Sequence, residues 1–233
     1  MVAGGGTGIG LACARALTAA GYAVTVLGRR EAPLLAAVQS GAAEAMLVGD
    51  ARHPPALRAV SVLVNAAGAA ESAPFHRTPI EMFQRALEAN LLGAVALTHA
   101  VLPGMVAAGH GRVVHIASTA ALRGYAYTTA YTASKHALLG FCRALAQEMA
   151  TKGITVNAVC PGFTETDIVA ESVARIVART GRSEAEARAE LARANPQGRM
   201  VQPAEVAAAV LYLCGQAAAA VNGIALPVAG GEV

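Results

Sequence analysis

No stretch of the chain reads as a linker, so its 233 residues are expected to form one large domain with a sizeable core rather than two small ones. No repeat and no low-complexity tract interrupts it. No apolar run approaches the roughly 20 residues needed to span a bilayer. That absence argues against the membrane reading that 55% hydrophobic and only 14% charged residues would otherwise invite. The excess is alanine, a residue that favours packed helices. No signal peptide precedes the first glycines, so the expected protein is soluble and cytoplasmic, without contact to a membrane.

Other absences narrow the chemistry. The four cysteines, Cys13, Cys142, Cys160 and Cys214, form no C-x-x-C pair and read as small buried residues in a reducing compartment. The six histidines are scattered without an H-x-x-x-H pair, so no metal site is expected. The net charge of +3 is dispersed, and the arginines of 175–199 alternate with glutamates. No basic, aromatic-interleaved stripe suits a nucleic acid.

What is present alternates. Strands are expected over Ala23–Leu27, Ala45–Val48, Val62–Asn65, Arg112–Ala117, Thr155–Val159 and Gly223–Val228. Helical patterns cover 9–20, 31–39, 79–108, 129–152 and 203–214. This alternation predicts an α/β fold: a Rossmann-type, doubly wound parallel sheet in three layers. The polar, charged segment 164–200 follows a late strand, where an insertion lies over the ligand-binding edge. It is the expected substrate lid of the single domain 1–233.

The first motif is Gly4-Gly5-Gly6-Thr7-Gly8-Ile9-Gly10, followed by a helix. Glycines let a backbone approach a pyrophosphate, and a helix N-terminus offers free N–H groups with partial positive charge. The spacing is neither G-x-G-x-x-G nor a P-loop, because no G-K-[ST] follows. A glycine run alone also fits a plain turn. Support comes about 20 residues further on, where a dinucleotide fold reads the adenosine ribose. No carboxylate stands there; Leu27-Gly28-Arg29-Arg30 does. Guanidinium groups match a phosphate in charge and geometry, which favours NADP(H), with NAD(H) as the other choice. Arginines that merely end a strand in solvent are the competing reading.

The second motif puts Tyr131 and Lys135 four residues apart, on one helix face. A phenol with a pKa near about 10 is a poor base, and a neighbouring ammonium is expected to lower that value. The pair then becomes a proton donor and acceptor for a carbonyl oxygen. Ser118 ends a strand at the edge where ligands bind and can hydrogen-bond the same oxygen, or simply cap a turn.

Together these residues resemble the short-chain dehydrogenase/reductase family, from Gly4 to Gly231. Gly4, Gly8, Ile9 and Gly10 match its glycine loop. Asp50 and Ala51 match an adenine contact, and Asn65-Ala66-Ala67-Gly68 its N-N-A-G run. Asn90, Ser118, Tyr131 and Lys135 match its catalytic positions. Pro161, Gly162, Thr164 and Thr166 match the loop that holds the nicotinamide amide. The resemblance implies hydride transfer from nicotinamide C4 to a carbonyl carbon. Tyr131 would protonate the oxygen and Ser118 would hold it. Lys135 would bind the nicotinamide ribose, and Asn90 would hold a water linking Lys135 to solvent. It also implies a homotetramer built on helices 79–108 and 129–152.

The chain departs from the family in three places. Only Met1-Val2 precede Ala3 and the loop, so the first strand is very short or the chain is trimmed. Ala3 stands where threonine is usual. Only Ala51–Ser61 connects Asp50 to the next strand, so the crossover helix must be a remnant beyond Pro54-Pro55. The runs Ile154–Phe163 and Thr164–Asp167, with Ala229-Gly230-Gly231, are most similar to reductases of 3-oxoacyl thioesters, including polyketide ketoreductases. Leu122, Tyr125, Tyr127 and Phe163 are candidate pocket walls. The alternatives are an NAD-dependent secondary alcohol or 3-hydroxyacyl-CoA dehydrogenase and, more remotely, a non-catalytic NADP sensor.

Overall fold

The first strand, β1 (Val2–Ala3), is two residues long and still holds an interior place in the sheet. In the computed structural model it pairs in parallel with β2 (Thr25–Gly28) on one side and β4 (Val62–Asn65) on the other. The structure describes residues 1–55, 57 and 60–233. Beyond β2 lies β3 (Ala45–Val48), and beyond β4 lie β5 (Gly111–Ile116), β6 (Ile154–Pro161) and β7 (Ala225–Val228). The order is β3-β2-β1-β4-β5-β6-β7, with every pairing parallel. The expected helical remnant after Pro54-Pro55 falls largely outside the described residues.

Strand alternation sends successive side chains to opposite faces, and each face has its own core. Val2, Val26, Val64, Val114 and Val159 pack under α1 (Gly8–Ala19), α2 (Glu31–Gln39) and α8 (Pro203–Cys214). Ala3, Leu27, Leu63, Val113 and Val156 pack under the helices between β4 and β6. Those are α3 (Ile80–Leu87), a π turn (Glu88–Leu92), α4 (Gly93–Ala108) and α5 (Thr129–Met149). All four cysteines are buried and free, as expected.

Two expectations need correction. One stretch does reach membrane-spanning length: α3, the π turn and α4 run on as a 29-residue helix, Ile80–Ala108, whose best window has mean hydropathy 1.8. Isolated polar residues such as Thr98 and His99 break its apolar runs without lowering the average much. The helix packs against the sheet through Leu97, Val101 and Met105. Second, β7 begins at Ala225, because Gly223 takes a left-handed φ of 75° and cannot extend the strand.

Residues 164–200 form α6 (Asp167–Thr180) and α7 (Glu184–Ala192), which share a small apolar cluster of Val169, Val173, Ala187 and Met200. A capping box of Ser183 and Glu186 starts α7. A bridge between Thr164 and Val201 ties the two ends of the segment together.

Candidate active site

The sheet order reverses direction between β1 and β4, which opens a crevice at their carboxyl ends. The glycine turn sits there. A Cβ on Gly4 would come within 2.9 Å of the Ala66 carbonyl carbon, so only a bare backbone passes. A Cβ on Gly10 would overlap the Gly4 oxygen, so α1 rests directly on the turn. Gly10→Ala is therefore expected to cost about 3 kcal/mol of stability by overpacking, read from urea unfolding. Thr7, the N-cap of α1, makes no side-chain cap bond, and no acidic residue occupies the first turn. The N–H groups of Gly8, Ile9 and Gly10 are thus unpaired within the helix and face the crevice with the positive end of its dipole. This cradle fits a pyrophosphate.

Across from it, a Cβ on Gly8 would meet the Thr166 methyl at 3.2 Å. The loop after Pro161 braces itself: Thr164 Oγ1 donates to the Gly162 carbonyl at 2.9 Å and Thr166 Oγ1 to the Thr164 carbonyl at 3.2 Å. Asn65 Oδ1 accepts from Ala67 N at 3.2 Å, which shapes the Ala66–Gly68 run.

At the far end, Arg29 and Arg30 are both exposed after β2. The Asp50 carboxylate is already paired. Arg52 grips its carboxylate through Nη2 at 2.6 Å and Nε at 3.1 Å, while the Arg52 backbone N–H donates to it at 2.9 Å. These contacts with Arg52, helped by the nearby Arg29 charge, hold Asp50 down to about 2. Arg52 also reaches Glu88 at 3.2 Å, at the start of the π turn, and Ala51 packs beneath Gly93. Sequence reasoning misses Arg52; nothing local marks a pairing that spans 36 positions.

The four expected catalytic residues come together. Ser118 follows β5 in extended backbone (φ −179°), and its Oγ accepts from Ala120 N at 3.0 Å. It also stands close enough to the Tyr131 hydroxyl to influence it, so the capping role and the site role coexist in one side chain. One turn along α5, Lys135 Nζ lies 5.7 Å from the Tyr131 ring centroid and donates to the Ile116 carbonyl at 3.0 Å. The expected acidified phenol is corrected here. Burial pushes the Tyr131 hydroxyl above its ordinary range, and the neighbouring Ser118 hydroxyl only partly opposes this. Burial also brings Lys135 down to about 8, and one of its three N–H groups donates to a backbone carbonyl.

Asn90, in the π turn, donates to the Ala69 carbonyl at 3.0 Å and to Ser134 Oγ at 3.1 Å, and accepts from Ala69 N at 3.1 Å. A π turn inside an α-helix is a frequent mark of a functional position. Ser134 is not anticipated from the sequence; it bridges Asn90 and the Tyr131 carbonyl, at 2.7 Å from the latter. A Cβ on Gly68 would strike Asn90 Oδ1 at 2.7 Å and approach Lys135 Nζ at 3.6 Å, so that glycine marks where the two converge.

Of the four candidate pocket walls, Leu122 and Phe163 pack into apolar clusters. Tyr125 turns its hydroxyl to Thr119 and Glu232. Tyr127 is 64% exposed with a left-handed φ of 68°, held by Ala73 N donating to its carbonyl at 2.8 Å. No cluster of metal-ligating side chains occurs among the described residues.

The comparisons agree with this geometry. A family model described as enoyl-(acyl carrier protein) reductase matches residues 3–232. An acetoacetyl-CoA reductase of Shinella zoogloeoides is 34% identical over 243 residues, covering 100% of this chain and 97% of its own. A D-beta-hydroxybutyrate dehydrogenase of Cupriavidus necator is 32% identical over 249 residues, covering 100% and 96%. The crystal structure of a single-substitution variant of actinorhodin polyketide ketoreductase with NADPH superposes with a TM-score of 0.93 at 38% identity, over 99% of this chain and 95% of that one. A glycine turn at the sheet's reversal point, with a Ser–Tyr–Lys set beside it, thus comes with full-length likeness to carbonyl reductases, and the chain belongs to the short-chain dehydrogenase/reductase family of oxidoreductases.

Proposed function

We propose that the protein is an NADPH-dependent reductase of 3-oxoacyl thioesters, giving the 3-hydroxy product. The observation that carries this is the Ser118 and Tyr131 hydroxyls set beside each other with Lys135 one turn away, at the crevice above the glycine turn. The unpaired N–H groups at Gly8–Gly10 hold the cofactor pyrophosphate, and Asn65, Ala66 and Gly68 line its path. Arg29 and Arg30 meet the 2′-phosphate, while Asp50 and Ala51 border the adenine. Pro161, Gly162, Thr164 and Thr166 hold the nicotinamide side. When bound, the nicotinamide supplies a hydride to the carbonyl carbon.

This chain's own residues handle the oxygen. The Ser118 and Tyr131 hydroxyls donate to it as negative charge develops, and Tyr131 then gives up its proton. A phenol kept protonated by burial suits this direction, because reduction needs an acid and oxidation needs a phenolate. Lys135 binds the nicotinamide ribose and restores the Tyr131 proton. Asn90 retains one carbonyl lone pair, enough for a water that links Lys135 to solvent. Residues 164–200 act as the lid that excludes bulk water and shapes the substrate pocket.

We place the enzyme in the cytoplasm as a homotetramer built on α4 and α5. The outer face of α4 supports this with an open apolar hollow lined by His99, Leu102, Pro103, Val106 and Ala107. The test of function is turnover by the purified protein on acetoacetyl thioesters, free 3-oxo acids and simple ketones, each with NADPH and NADH. The highest kcat/KM is expected for a thioester with NADPH. A clear preference for NADH would overturn the placement of Arg29, and no turnover with tight NADPH binding would favour the sensor.

A further inference from the structure

The turn after β7 touches three segments of the site. Gly230 and Gly231 take left-handed φ values of 61° and 94°, and the Gly230 backbone presses on Asn195 so closely that a Cβ would overlap its Oδ1. Asn195 lies near the end of the segment 164–200. Two residues beyond Gly230, Glu232 turns its carboxylate inward. One oxygen receives the Tyr125 hydroxyl in a hydrogen bond. The other, Oε2, is buried without a hydrogen-bond partner among the described residues, and a Cβ on Gly162 would stand 2.9 Å from it. The Glu232 carbonyl accepts from Arg123 Nη1 at 3.3 Å, and the same guanidinium stands over the Tyr125 ring at 5.1 Å.

Tyr125 has a single phenolic proton and two oxygen neighbours. The carboxylate is the stronger acceptor, so that proton goes to Glu232, and the Thr119 hydroxyl, 2.7 Å away, donates to Tyr125 in turn. The relay therefore runs Thr119 to Tyr125 to Glu232, and Thr119 is the residue beside Ser118. One carboxylate thus fastens the segment that carries Ser118 and stands against the segment that carries Gly162. These are the two sides between which a substrate oxygen and a nicotinamide must be held in register.

We propose that Glu232 is a positioning residue for carbonyl reduction, fixing the Ser118 segment against the Gly162 segment through the hydroxyls of Tyr125 and Thr119. This rests on the reductase reading above. It does not depend on the thioester, because it concerns where the oxygen and the nicotinamide sit. The role is geometric: displacement of reacting groups by a fraction of an ångström slows the chemical step while leaving cofactor binding intact.

The test uses Glu232→Ala, Glu232→Gln, Tyr125→Phe and the Tyr125→Phe/Glu232→Ala double variant, on whichever carbonyl compound the wild type reduces fastest. Glu232→Ala and Tyr125→Phe are each expected to lower kcat by about tenfold with KM for NADPH unchanged. The double variant should be no worse than either single one, because all three break the same link. Glu232→Gln, which keeps an acceptor oxygen for Tyr125, should recover most of the rate. Multiplying losses in the double variant, an unchanged kcat in Tyr125→Phe, or a loss confined to KM for NADPH would overturn the proposal. Should Glu232→Ala fail to fold, Tyr125→Phe and Glu232→Gln still read the link. A wild type that ignores thioesters but reduces other carbonyls would sink the substrate assignment alone and leave these ratios measurable.

Discussion

Tyr131→Phe is expected to reduce carbonyl turnover by about 10²–10⁴-fold, the usual worth of a positioned general acid, without moving the NADPH dissociation constant. The substitution removes one hydroxyl and keeps the ring. The ring lies beneath Lys135 and beside Ser118, so packing and helix register should hold. Lost with the hydroxyl are the proton that neutralises the developing alkoxide and one of two donors to it. Ser118 remains, already oriented by accepting from Ala120 N, so some stabilisation survives and turnover should be slow rather than absent. The measurement is single-turnover NADPH oxidation alongside NADPH fluorescence titration. Full turnover by the phenylalanine variant would reject the mechanism outright. The pH dependence adds a sign: with the phenol raised by burial, reduction should stay level through neutral pH, whereas oxidation of the alcohol should climb on the alkaline side as phenolate appears.

Much of this site can be read from the chain because it is local. Gly4 through Gly10 and the helix behind them are contiguous, and Tyr131 and Lys135 fall on one face by the period of an α-helix. The strands are legible for a similar reason, since short apolar runs such as Val62–Asn65 and Ala45–Val48 sit between helical patterns. Contacts that join distant parts of the chain leave no local trace. The Arg52–Glu88 pair spans 36 positions, the Asn90–Ser134 bond 44 and the Tyr125–Glu232 bond 107. The π turn at Glu88–Leu92 is hidden because its composition is that of any helix. That the Asp50 carboxylate is paired with Arg52 does not show in the motif that marks Asp50. The electrostatics of the catalytic pair escape the sequence for one cause. A spacing shows that an ammonium and a phenol are neighbours, but not that the ammonium is buried and the phenol half-buried. Here desolvation is the largest influence on each of them.

That same burial makes Lys135→Met the most informative change in the molecule. Lys135 is 4% exposed, and burial lowers it from 10.5 to about 8. The folded protein therefore binds this proton less tightly than the unfolded chain does. Below pH 8 both states carry the charge and the penalty is fully present. Between about 8 and 10.5 the folded state releases its proton first, so the wild type gains stability as pH rises through that window. A difference of this size corresponds to about 3 kcal/mol at neutral pH. Methionine fills similar volume without charge, but it leaves the Ile116 carbonyl without its donor, a loss of about 1 kcal/mol. Lys135→Met should therefore stabilise the protein by about 2 kcal/mol at neutral pH, with the gain shrinking toward pH 10.5. Its turnover should fall by about 10²-fold or more, because neither the ribose contact nor the proton supply to Tyr131 survives. Urea unfolding of both proteins at neutral and alkaline pH reads the first effect, and steady-state NADPH oxidation reads the second. A variant that is less stable at neutral pH would show that the ammonium holds the site together rather than straining it. The opposite result would identify Lys135 as a charge kept in the core at a cost to the fold, because the reaction needs it there.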